Sequence, residues 1–160
     1  MLQFAIYPSP LGSLLLLSDG TSLTGIYMGY PVSVEAEEGD CPVLRQTEAW
    51  LDAYFRGENP EPDGIPLLPK GTPFQEEVWQ ILKTIPYGQT RSYGDIAREM
   101  AQRLGKEKMS AQAVGQAVGS NPISIIIPCH RVVGAKGQLT GYAGGLDKKI
   151  WLLTHEQNGR

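Results

Sequence analysis

The sequence is poor in the side chains that most often cross-link or metallate small proteins, since its 160 residues include only two cysteines and two histidines. They stand at positions 41, 129, 130 and 155, a spacing that provides no chelating set. In a chain without an export signal, two cysteines are expected to be free thiols. We therefore expect neither a metal centre nor a disulfide scaffold.

Long apolar runs are also missing. Runs such as residues 14–17 are far too short to span a bilayer, and the first residues show no basic segment followed by an apolar one. Apolar residues make up 41% of the chain and charged residues 19%, which are ordinary values for a globular protein. These features predict a cytoplasmic protein without membrane contact, built from one or two small domains.

The net charge of −3 hides an uneven distribution. Residues 1–70 carry three basic against ten acidic side chains, a balance of −7, whereas residues 71–160 carry eleven basic against seven acidic ones, a balance of +4. A polyanion would be repelled by the first half and attracted by the second. Chance clustering on solvated surfaces gives the same numbers, so charge alone does not establish a nucleic-acid partner.

The first half of the sequence predicts a small sheet followed by a helix. Strand-like runs within residues 2–30, separated by turn residues, predict a β-meander. The acidic segment over residues 34–40 is expected to be a loop. Aromatic pairs at i,i+4 spacing then predict a helix from about Val43 to Arg56, which Gly57 would end.

A segment rich in proline and glycine follows. Residues 57–73 contain five prolines and three glycines, too many for a helix or a central strand. We interpret residues 61–71 as a linker between an N-terminal α/β support domain, residues 1–60, and a C-terminal domain, residues 72–160. The change in charge falls at the same place.

The second half predicts three helices, each beginning just after a serine or threonine that can cap it. They are expected over residues 73–84, 93–104 and 111–119. The last two are short and joined by a turn, and the third has a shallow surface of alanine and glycine. This pattern is compatible with a helix-turn-helix, although ordinary helix packing also produces it.

The segment NPISIIIPCHRVVG, residues 121–134, carries the most reactive side chains. A thiol with an ordinary pKa of about 8.5 is mostly protonated at neutral pH, so it needs a base before it can act as a nucleophile. His130 directly follows Cys129, but neighbours on an extended strand point to opposite faces. Contact between them therefore requires a turn at the cysteine or a bridging water.

This segment closely resembles the active-site segment of the O6-alkylguanine-DNA alkyltransferases, also called methylated-DNA–protein-cysteine methyltransferases. Other segments stand in that family's order: FQEEVW and IPYGQTRSYGDIA before it, GYAGGLDKKIWLLTHE after it. The match is strong over residues 72–156 and holds only in kind over the first 60. The resemblance implies an α+β fold: a ribonuclease H-like N-terminal domain of sheet and helix, and a helical C-terminal domain with a winged-helix or helix-turn-helix-like DNA-binding unit.

The resemblance also implies a reaction. The alkyl group of O6-alkylguanine in double-stranded DNA, and as an expected second substrate that of O4-alkylthymine, would pass irreversibly to Cys129, without a cofactor. His130 would take the thiol proton through a water, Glu156 would orient the imidazole, and Asn121 would brace the turn. Arg131 would either contact a DNA phosphate or form a buried ion pair, and His155 is expected to be structural.

The remaining site residues are likewise implied by the resemblance. Tyr93 would bind the flipped guanine through its hydroxyl, and the backbone carbonyls of Cys129 and Val132 would accept from its exocyclic amine. A loop formed by Tyr142, Ala143, Gly144 and Gly145 would close over the alkylated oxygen, with Lys149 near it. A monomer would bind the minor groove through Gln75, Gly94, Gln112, Ala113, Gly115 and Arg131.

Three positions depart from the family pattern. Gln112 stands where many members have an arginine that fills the space of the flipped nucleotide, which predicts weaker DNA affinity or slower flipping. Ala143 replaces a serine of some relatives, and Ser124 replaces a proline.

Three other functions remain open at this point. A non-catalytic sensor of alkylated bases is disfavoured because that branch of the family has tryptophan in place of the cysteine. A cysteine hydrolase would need an oxyanion loop, which the sequence does not suggest. A thiol-based DNA-binding regulator would oxidise Cys129 and prefer one DNA sequence.

Overall fold

The computed structural model describes residues 2–28, 35–139, 142 and 145–158. Its first half contains a four-stranded sheet and one helix. These elements are β1 (Leu2–Ser9), β2 (Gly12–Ser18), β3 (Leu23–Met28), β4 (Ala36–Glu38) and α1 (Pro42–Phe55). The strand order is β3-β2-β1-β4, and β1, β2 and β3 form the expected antiparallel meander.

The prediction of a loop in the acidic segment is wrong for its central part, where β4 pairs in parallel with β1. Glu37 and Glu38 are exposed on this edge strand. Charged side chains are typical of sheet edges, and the backbone makes the pairing bonds, so the sequence shows no alternating pattern.

Helix α1 covers one face of the sheet. Its buried residues include Leu44 and Leu51, and both pack in one core with Leu14 and Leu16 of β2. Each such side chain contributes about 1.5–3 kcal/mol on full burial. The helix ends before Gly57, whose φ of 91° suits glycine, as the sequence predicts.

The proline-rich segment lies along the edge of β3. Residues Pro62–Gly64 form a 3₁₀ turn. The Leu23 amide then donates to the Pro66 carbonyl at 2.8 Å, and the Leu68 amide donates to the Leu23 carbonyl at 2.9 Å. Prolines are tolerated here because Pro66 pairs through its carbonyl, which proline retains, while the donating amide belongs to Leu68. The predicted domain limits at residues 60 and 72 stay a prediction.

The second half is mainly helical. Its elements are α2 (Pro73–Leu82), β5 (Arg91–Ser92), α3 (Tyr93–Leu104), α4 (Ala111–Gly119), β6 (Val132–Val133) and α5 (Leu146–Asn158). Thr72 and Ser92 form capping boxes at the starts of α2 and α3, and the Ser110 hydroxyl caps α4. The three predicted helices are therefore confirmed, although α2 ends two residues earlier than expected.

Two short backbone pairings position the segment that carries Cys129. The strands β5 and β6 are parallel, with Ser92 opposite Val133, so the start of α3 lies beside the residues that follow the cysteine. Further upstream, the Ile26 amide of β3 donates to the Pro122 carbonyl at 2.9 Å. The segment is thus held by both halves of the molecule.

No helix within the described residues is long and apolar enough to cross a bilayer. In the same part of the chain, no group of three or more histidine, cysteine, aspartate or glutamate side chains could hold a metal ion.

Candidate active site

Cys129 lies in a tight turn rather than on a strand. Residues Cys129–Arg131 form a 3₁₀ helix that leads directly into β6. A turn at the cysteine is one of the two alternatives left open by the sequence, and the chain turns here after Pro128 before it pairs with β5. Successive side chains of a 3₁₀ helix diverge by about 120°. Cys129 accordingly lines a cavity while the neighbouring His130 is fully buried.

The Asn121 side chain braces the turn from within. Its amide nitrogen donates to the Ile127 carbonyl at 2.8 Å, and its amide oxygen accepts from the Ile123 amide at 3.0 Å. Between these contacts Ile125 has a φ of 73°, which is strained for a β-branched residue by about 1–3 kcal/mol. The buried Asn121 bonds therefore help to hold a backbone path that the local sequence disfavours.

His130 and Glu156 form a buried pair. His130 Nε2 lies 2.6 Å from Glu156 Oε2, a distance typical of a hydrogen bond to a charged group. The other ring nitrogen, Nδ1, is buried and has no hydrogen-bond partner among the described residues. The pairing favours the tautomer with the proton on Nε2, which leaves Nδ1 as a proton acceptor.

Arg131 is the second cation on Glu156. Its Nε donates to Glu156 Oε1 at 2.9 Å and its Nη2 to Oε2 at 3.0 Å, while Nη1 donates to the Ile85 carbonyl at 2.7 Å. Each of the three guanidinium nitrogens therefore donates to a buried acceptor. Of its two expected roles the structure favours the ion pair, and the assignment of Arg131 to DNA contact needs correction.

Burial and charge set the protonation states of the site. Burial would raise the pKa of Glu156, but its hydrogen bonds and charge contacts with His130 and Arg131 outweigh burial and hold that pKa well below its usual range. Burial lowers the pKa of His130, although Glu156 opposes this effect, so a neutral imidazole is favoured. Burial also raises the pKa of the Cys129 thiol, against the opposing influence of Asn121, Tyr142 and Lys149. The resting thiol is therefore protonated, and the imidazole of the next residue is neutral.

A cavity of about 260 Å³ opens onto the thiol. It is lined by Tyr93, Gly115, Val118, Gly119, Asn121, Cys129 and Tyr142. Tyr93 begins α3, directly after β5. Gly115 of α4 lies so near the Tyr93 ring that a methyl group added to this glycine would be in van der Waals contact with the ring. The Cys129 thiol therefore lies in a cavity that α3 and α4 also line.

Two more predicted substrate residues lie beside the thiol. The Tyr142 hydroxyl is buried close to Cys129 and Ser124, yet it makes no hydrogen bond of normal geometry within the described residues. Lys149 is fully buried, with its ammonium 5.8 Å from the centre of the Tyr93 ring. Ala143 and Gly144 lie outside the described residues. Val132 is buried in β6, and its amide donates to the Cys129 carbonyl.

Most of the residues expected to touch DNA lie in the helices α2, α3 and α4. Gln112 and Ala113 lie in the first turn of α4, with Gln112 exposed, and Gly94 lies in the first turn of α3. Not all of the small residues of α4 are on its surface, since Ala117 is buried and its carbonyl accepts from the Trp79 indole at 2.8 Å. Gln75 uses its side-chain oxygen in the capping box of α2, where it accepts from the Thr72 amide.

The sequence did not identify two further partners of Glu156. The Tyr54 hydroxyl donates to Oε2 at 2.6 Å, and the Gly88 amide lies 3.2 Å from Oε1. Tyr54 is 102 positions from Glu156 and belongs to an aromatic stripe that is typical of a helix core. No local pattern distinguishes it, and only the fold brings it to the site.

The fold and the site together define a class: a two-part protein in which a buried cysteine lies next to a buried histidine–glutamate pair and lines a cavity with residues of α3 and α4. Comparison with known families agrees with this class. Residues 2–69 match the ribonuclease-like domain, and residues 73–158 the DNA binding domain, of 6-O-methylguanine DNA methyltransferase.

Individual relatives match over nearly the whole chain. The methylated-DNA–protein-cysteine methyltransferase of Haemophilus influenzae is 45% identical, covering 98% of this chain and 87% of its own. That of Methanosarcina acetivorans is also 45% identical, covering 97% and 98%. The crystal structure of Mycobacterium tuberculosis OGT in complex with DNA superposes with a TM-score of 0.86 at 40% identity, covering 98% of this chain and 94% of that one.

The chain therefore belongs to the 6-O-methylguanine DNA methyltransferase family. The family resemblance and the α+β fold class predicted from the sequence are both confirmed.

Proposed function

We propose that the protein repairs DNA directly, by moving the alkyl group of O6-alkylguanine irreversibly to its own Cys129. The observation that carries the proposal is the state of His130: Nε2 is hydrogen-bonded to Glu156, while the buried Nδ1 has no partner in the described part of the chain and belongs to the residue that follows Cys129, which lines the cavity. A neutral imidazole with one oriented nitrogen and one available nitrogen is what activation of a protonated thiol requires.

The reaction begins with proton removal. Cys129 passes its proton to His130 Nδ1 through a bridging water, and Glu156 stabilises the imidazolium that forms. The thiolate sulfur then attacks the alkyl carbon, so a carbon–sulfur bond forms while the carbon–oxygen bond breaks and its electron pair stays on guanine O6. In the net reaction the thiol proton replaces the alkyl group on guanine. The thioether has no good leaving group, so each molecule acts once.

Tyr93 and the cavity serve the leaving base. The alkylated oxygen lies on the base edge inside the duplex, so the nucleotide must leave the stack at a cost of a few kcal/mol. The cavity between Tyr93 and Cys129 is where the flipped base would lie. The Tyr93 hydroxyl would donate a hydrogen bond to the base as negative charge develops there, and the glycines of α4 that line the cavity leave room for the base.

The protein binds DNA, and we propose that it does so through the minor groove with α4. Helix α4 presents Gln112 at its exposed first turn, adjacent to the cavity lined by Gly115 and Gly119. The second half of the chain, with its balance of +4, would face the phosphates. A monomeric state, acceptance of O4-alkylthymine and a cytoplasmic location stay predictions.

The test is a mass measurement on the intact protein after incubation with duplex DNA that contains one O6-methylguanine, followed by peptide mapping. The wild-type protein should gain one methyl group per molecule, on the peptide that contains Cys129, and none with undamaged DNA. Cys129→Ser should gain nothing. Cys41→Ser is the matched control, because Cys41 is the chain's other free thiol and should be dispensable.

Two results would redirect the proposal. Tight binding to the lesion without a gain in mass would indicate a sensor of alkylated bases. A gain of oxygen at Cys129 rather than a methyl group, independent of the lesion, would indicate a thiol-based regulator.

A further inference from the structure

The N-terminal half of the chain contributes a side chain to the buried pair at the active site. Tyr54 of α1 is 1% exposed, and its hydroxyl lies 2.6 Å from Glu156 Oε2. This is the same oxygen that lies 2.6 Å from His130 Nε2. The hydroxyl and the imidazole therefore bind one carboxylate oxygen from opposite halves of the molecule.

We propose that Tyr54 is a positioning residue for alkyl transfer: its hydroxyl holds Glu156 Oε2 in place and limits how firmly that oxygen retains a proton on His130. The proposal rests on the proposed function, since it concerns the same base. It assigns the N-terminal domain a role in the reaction as well as in support.

The hydrogen bonds of Glu156 show why one more donor matters. Among the described residues, five groups donate to its two oxygens: Tyr54 Oη, Gly88 N, His130 Nε2, Arg131 Nε and Arg131 Nη2. A carboxylate offers about four lone-pair positions, so these donors share a limited negative charge. Removal of the hydroxyl would leave more of that charge to His130 and stabilise its protonated form.

The hydroxyl can act only as a donor here. Burial, together with the nearby charge of Glu156 and its hydrogen bond, raises the pKa of Tyr54 far above its usual value. The phenol therefore stays protonated over the whole range in which the protein is expected to work, while the ionised carboxylate can only accept.

Packing alone does not account for the hydroxyl. The Tyr54 ring stacks on Trp50 with centroids 5.5 Å apart and meets the edges of Phe55 and Tyr87. A phenylalanine would make the same ring contacts. The backbone carbonyl of Tyr54 also accepts from His155 Nε2 at 2.7 Å, so Tyr54 of α1 is hydrogen-bonded to two consecutive residues of α5.

Other ionisable groups lie around His130 and Glu156, and these groups must be the same in the wild-type protein and in the variant that is compared with it. Those that influence His130 or Glu156 are Arg131, Lys149, Tyr87 and Tyr142, beside Cys129 in the turn. A Tyr54→Phe substitution leaves all of them in place, so a change in the titration of His130 would report the lost hydroxyl.

The experiment compares Tyr54→Phe with Tyr7→Phe across pH. Tyr7 is a matched control, because its buried ring packs on α1 and its hydroxyl donates to Asp52 at 2.6 Å, away from the active site. Two measurements are made on each variant: the single-turnover rate of methyl transfer, and the NMR titration of the His130 ring. His155 is the chain's other histidine, so a His155→Gln variant assigns the two ring signals.

The proposal predicts that in Tyr54→Phe, and not in Tyr7→Phe, the acidic limb of the pH–rate profile of methyl transfer moves to higher pH. His130 should titrate about one pH unit higher than in the wild type, the scale expected when a hydrogen bond to a charged group is lost. Below that limb transfer should slow by up to about tenfold, because protonated His130 cannot accept the thiol proton, while the alkaline plateau should stay within a few-fold of the wild type. Tyr7→Phe should follow the wild-type curve.

Several outcomes would overturn it. An unshifted His130 titration in Tyr54→Phe, or an equal shift in Tyr7→Phe, would reduce the hydroxyl to a packing contact. The NMR titration does not depend on transfer, so it decides this question even if the wild-type protein transfers no methyl group and the proposed function itself fails. If Tyr54→Phe does not fold, the wild-type hydroxyl proton gives a second check. It should exchange slowly and shift as His130 titrates, and rapid exchange would contradict the proposal.

Discussion

His130 Nε2 lies 2.6 Å from Glu156 Oε2, and both residues are fully buried. A buried charge is tolerated when its partners remain, and loss of one partner costs about 3–5 kcal/mol. Stability and chemistry in this protein therefore depend on the same few contacts.

Replacement of Glu156 by glutamine should affect both properties. Glu156→Gln leaves Arg131 buried without its carboxylate, so the free energy of unfolding should fall by about 3–5 kcal/mol. Transfer should slow by about 10² or more, because a general base that is neither oriented nor charge-stabilised loses that scale of rate. Urea unfolding and single-turnover transfer measure the two effects.

Glu77→Gln is the control for this change. Glu77 pairs with Arg103 at 2.8 Å with about two fifths of its side chain exposed, and such surface pairs contribute about 0–1 kcal/mol. It should leave the transfer rate unchanged. Equal losses in the two variants would show that the buried network has no special importance.

The stability of the protein should fall on mild acidification. Burial lowers the pKa of His130, so the unfolded chain, with an ordinary histidine pKa of about 6.5, binds a proton that the folded chain does not. Unfolding is therefore increasingly favoured as pH falls below about 6.5, by up to about 1.4 kcal/mol per pH unit. Glu156, whose folded pKa is depressed, adds a second loss only below about pH 4.5.

Urea titrations at a series of pH values between 8 and 5 measure this slope. In His130→Gln the part of the slope due to this histidine should disappear. A wild-type stability that stays flat or rises as pH falls from 7 to 5 would mean that His130 is charged in the folded protein.

The Asn121 side chain should prove necessary for the shape of the cysteine turn. Asn121→Ala removes donors and acceptors that hold the backbone at Ile123 and Ile127, which should cost about 1–3 kcal/mol of stability. Displacement of the thiol should also slow transfer by about 10²-fold, since small errors in position have effects of that size. Chemical denaturation and transfer rates measure the two changes.

Asn59→Ala offers a comparison at an exposed asparagine of the proline-rich segment. It should change neither quantity appreciably. If Asn121→Ala transfers the methyl group at the wild-type rate, the bracing contacts are not required to place Cys129.

Local signals explain which parts of the fold the sequence could predict. The starts of α2 and α3 depend on Thr72 and Ser92, whose hydroxyls bond to amides three residues ahead, so a short window of sequence contains the whole cause. The active-site motif is equally local. By contrast, the parallel pairing of β4 with β1 depends on backbone bonds between distant segments, and its acidic side chains resemble a loop.

The same distinction holds at the site. Cys129, His130 and Asn121 stand in one segment and could be identified together, whereas the turn that separates the first two is imposed by the pairing of β5 with β6. Tyr54 could not be identified because its importance arises from a contact across 102 positions. Residues that act through such contacts become visible only when the two halves of the chain are placed together.

Gln112 offers a test of how this chain opens the duplex. It lies exposed at the start of α4, at the position for which the family resemblance implies an arginine, and glutamine provides neither the charge nor the stacking surface of a guanidinium. Gln112→Arg should therefore bind lesion-containing duplex more tightly and transfer several-fold faster at limiting protein concentration. Fluorescence anisotropy measures the affinity, and rapid-quench transfer measures the rate.

The added charge must be separated from its position. Gln80→Arg places the same charge on an exposed residue of α2 and should raise non-specific DNA affinity only slightly. In either variant, an added phosphate contact would make the DNA affinity depend more steeply on salt concentration. Faster transfer in Gln112→Arg alone would show that the residue at this point of α4 limits flipping. If Gln112→Arg repairs no faster than the wild type, or no faster than Gln80→Arg, then glutamine already supports flipping fully in this protein, and the rate is set by the thiol and its buried base.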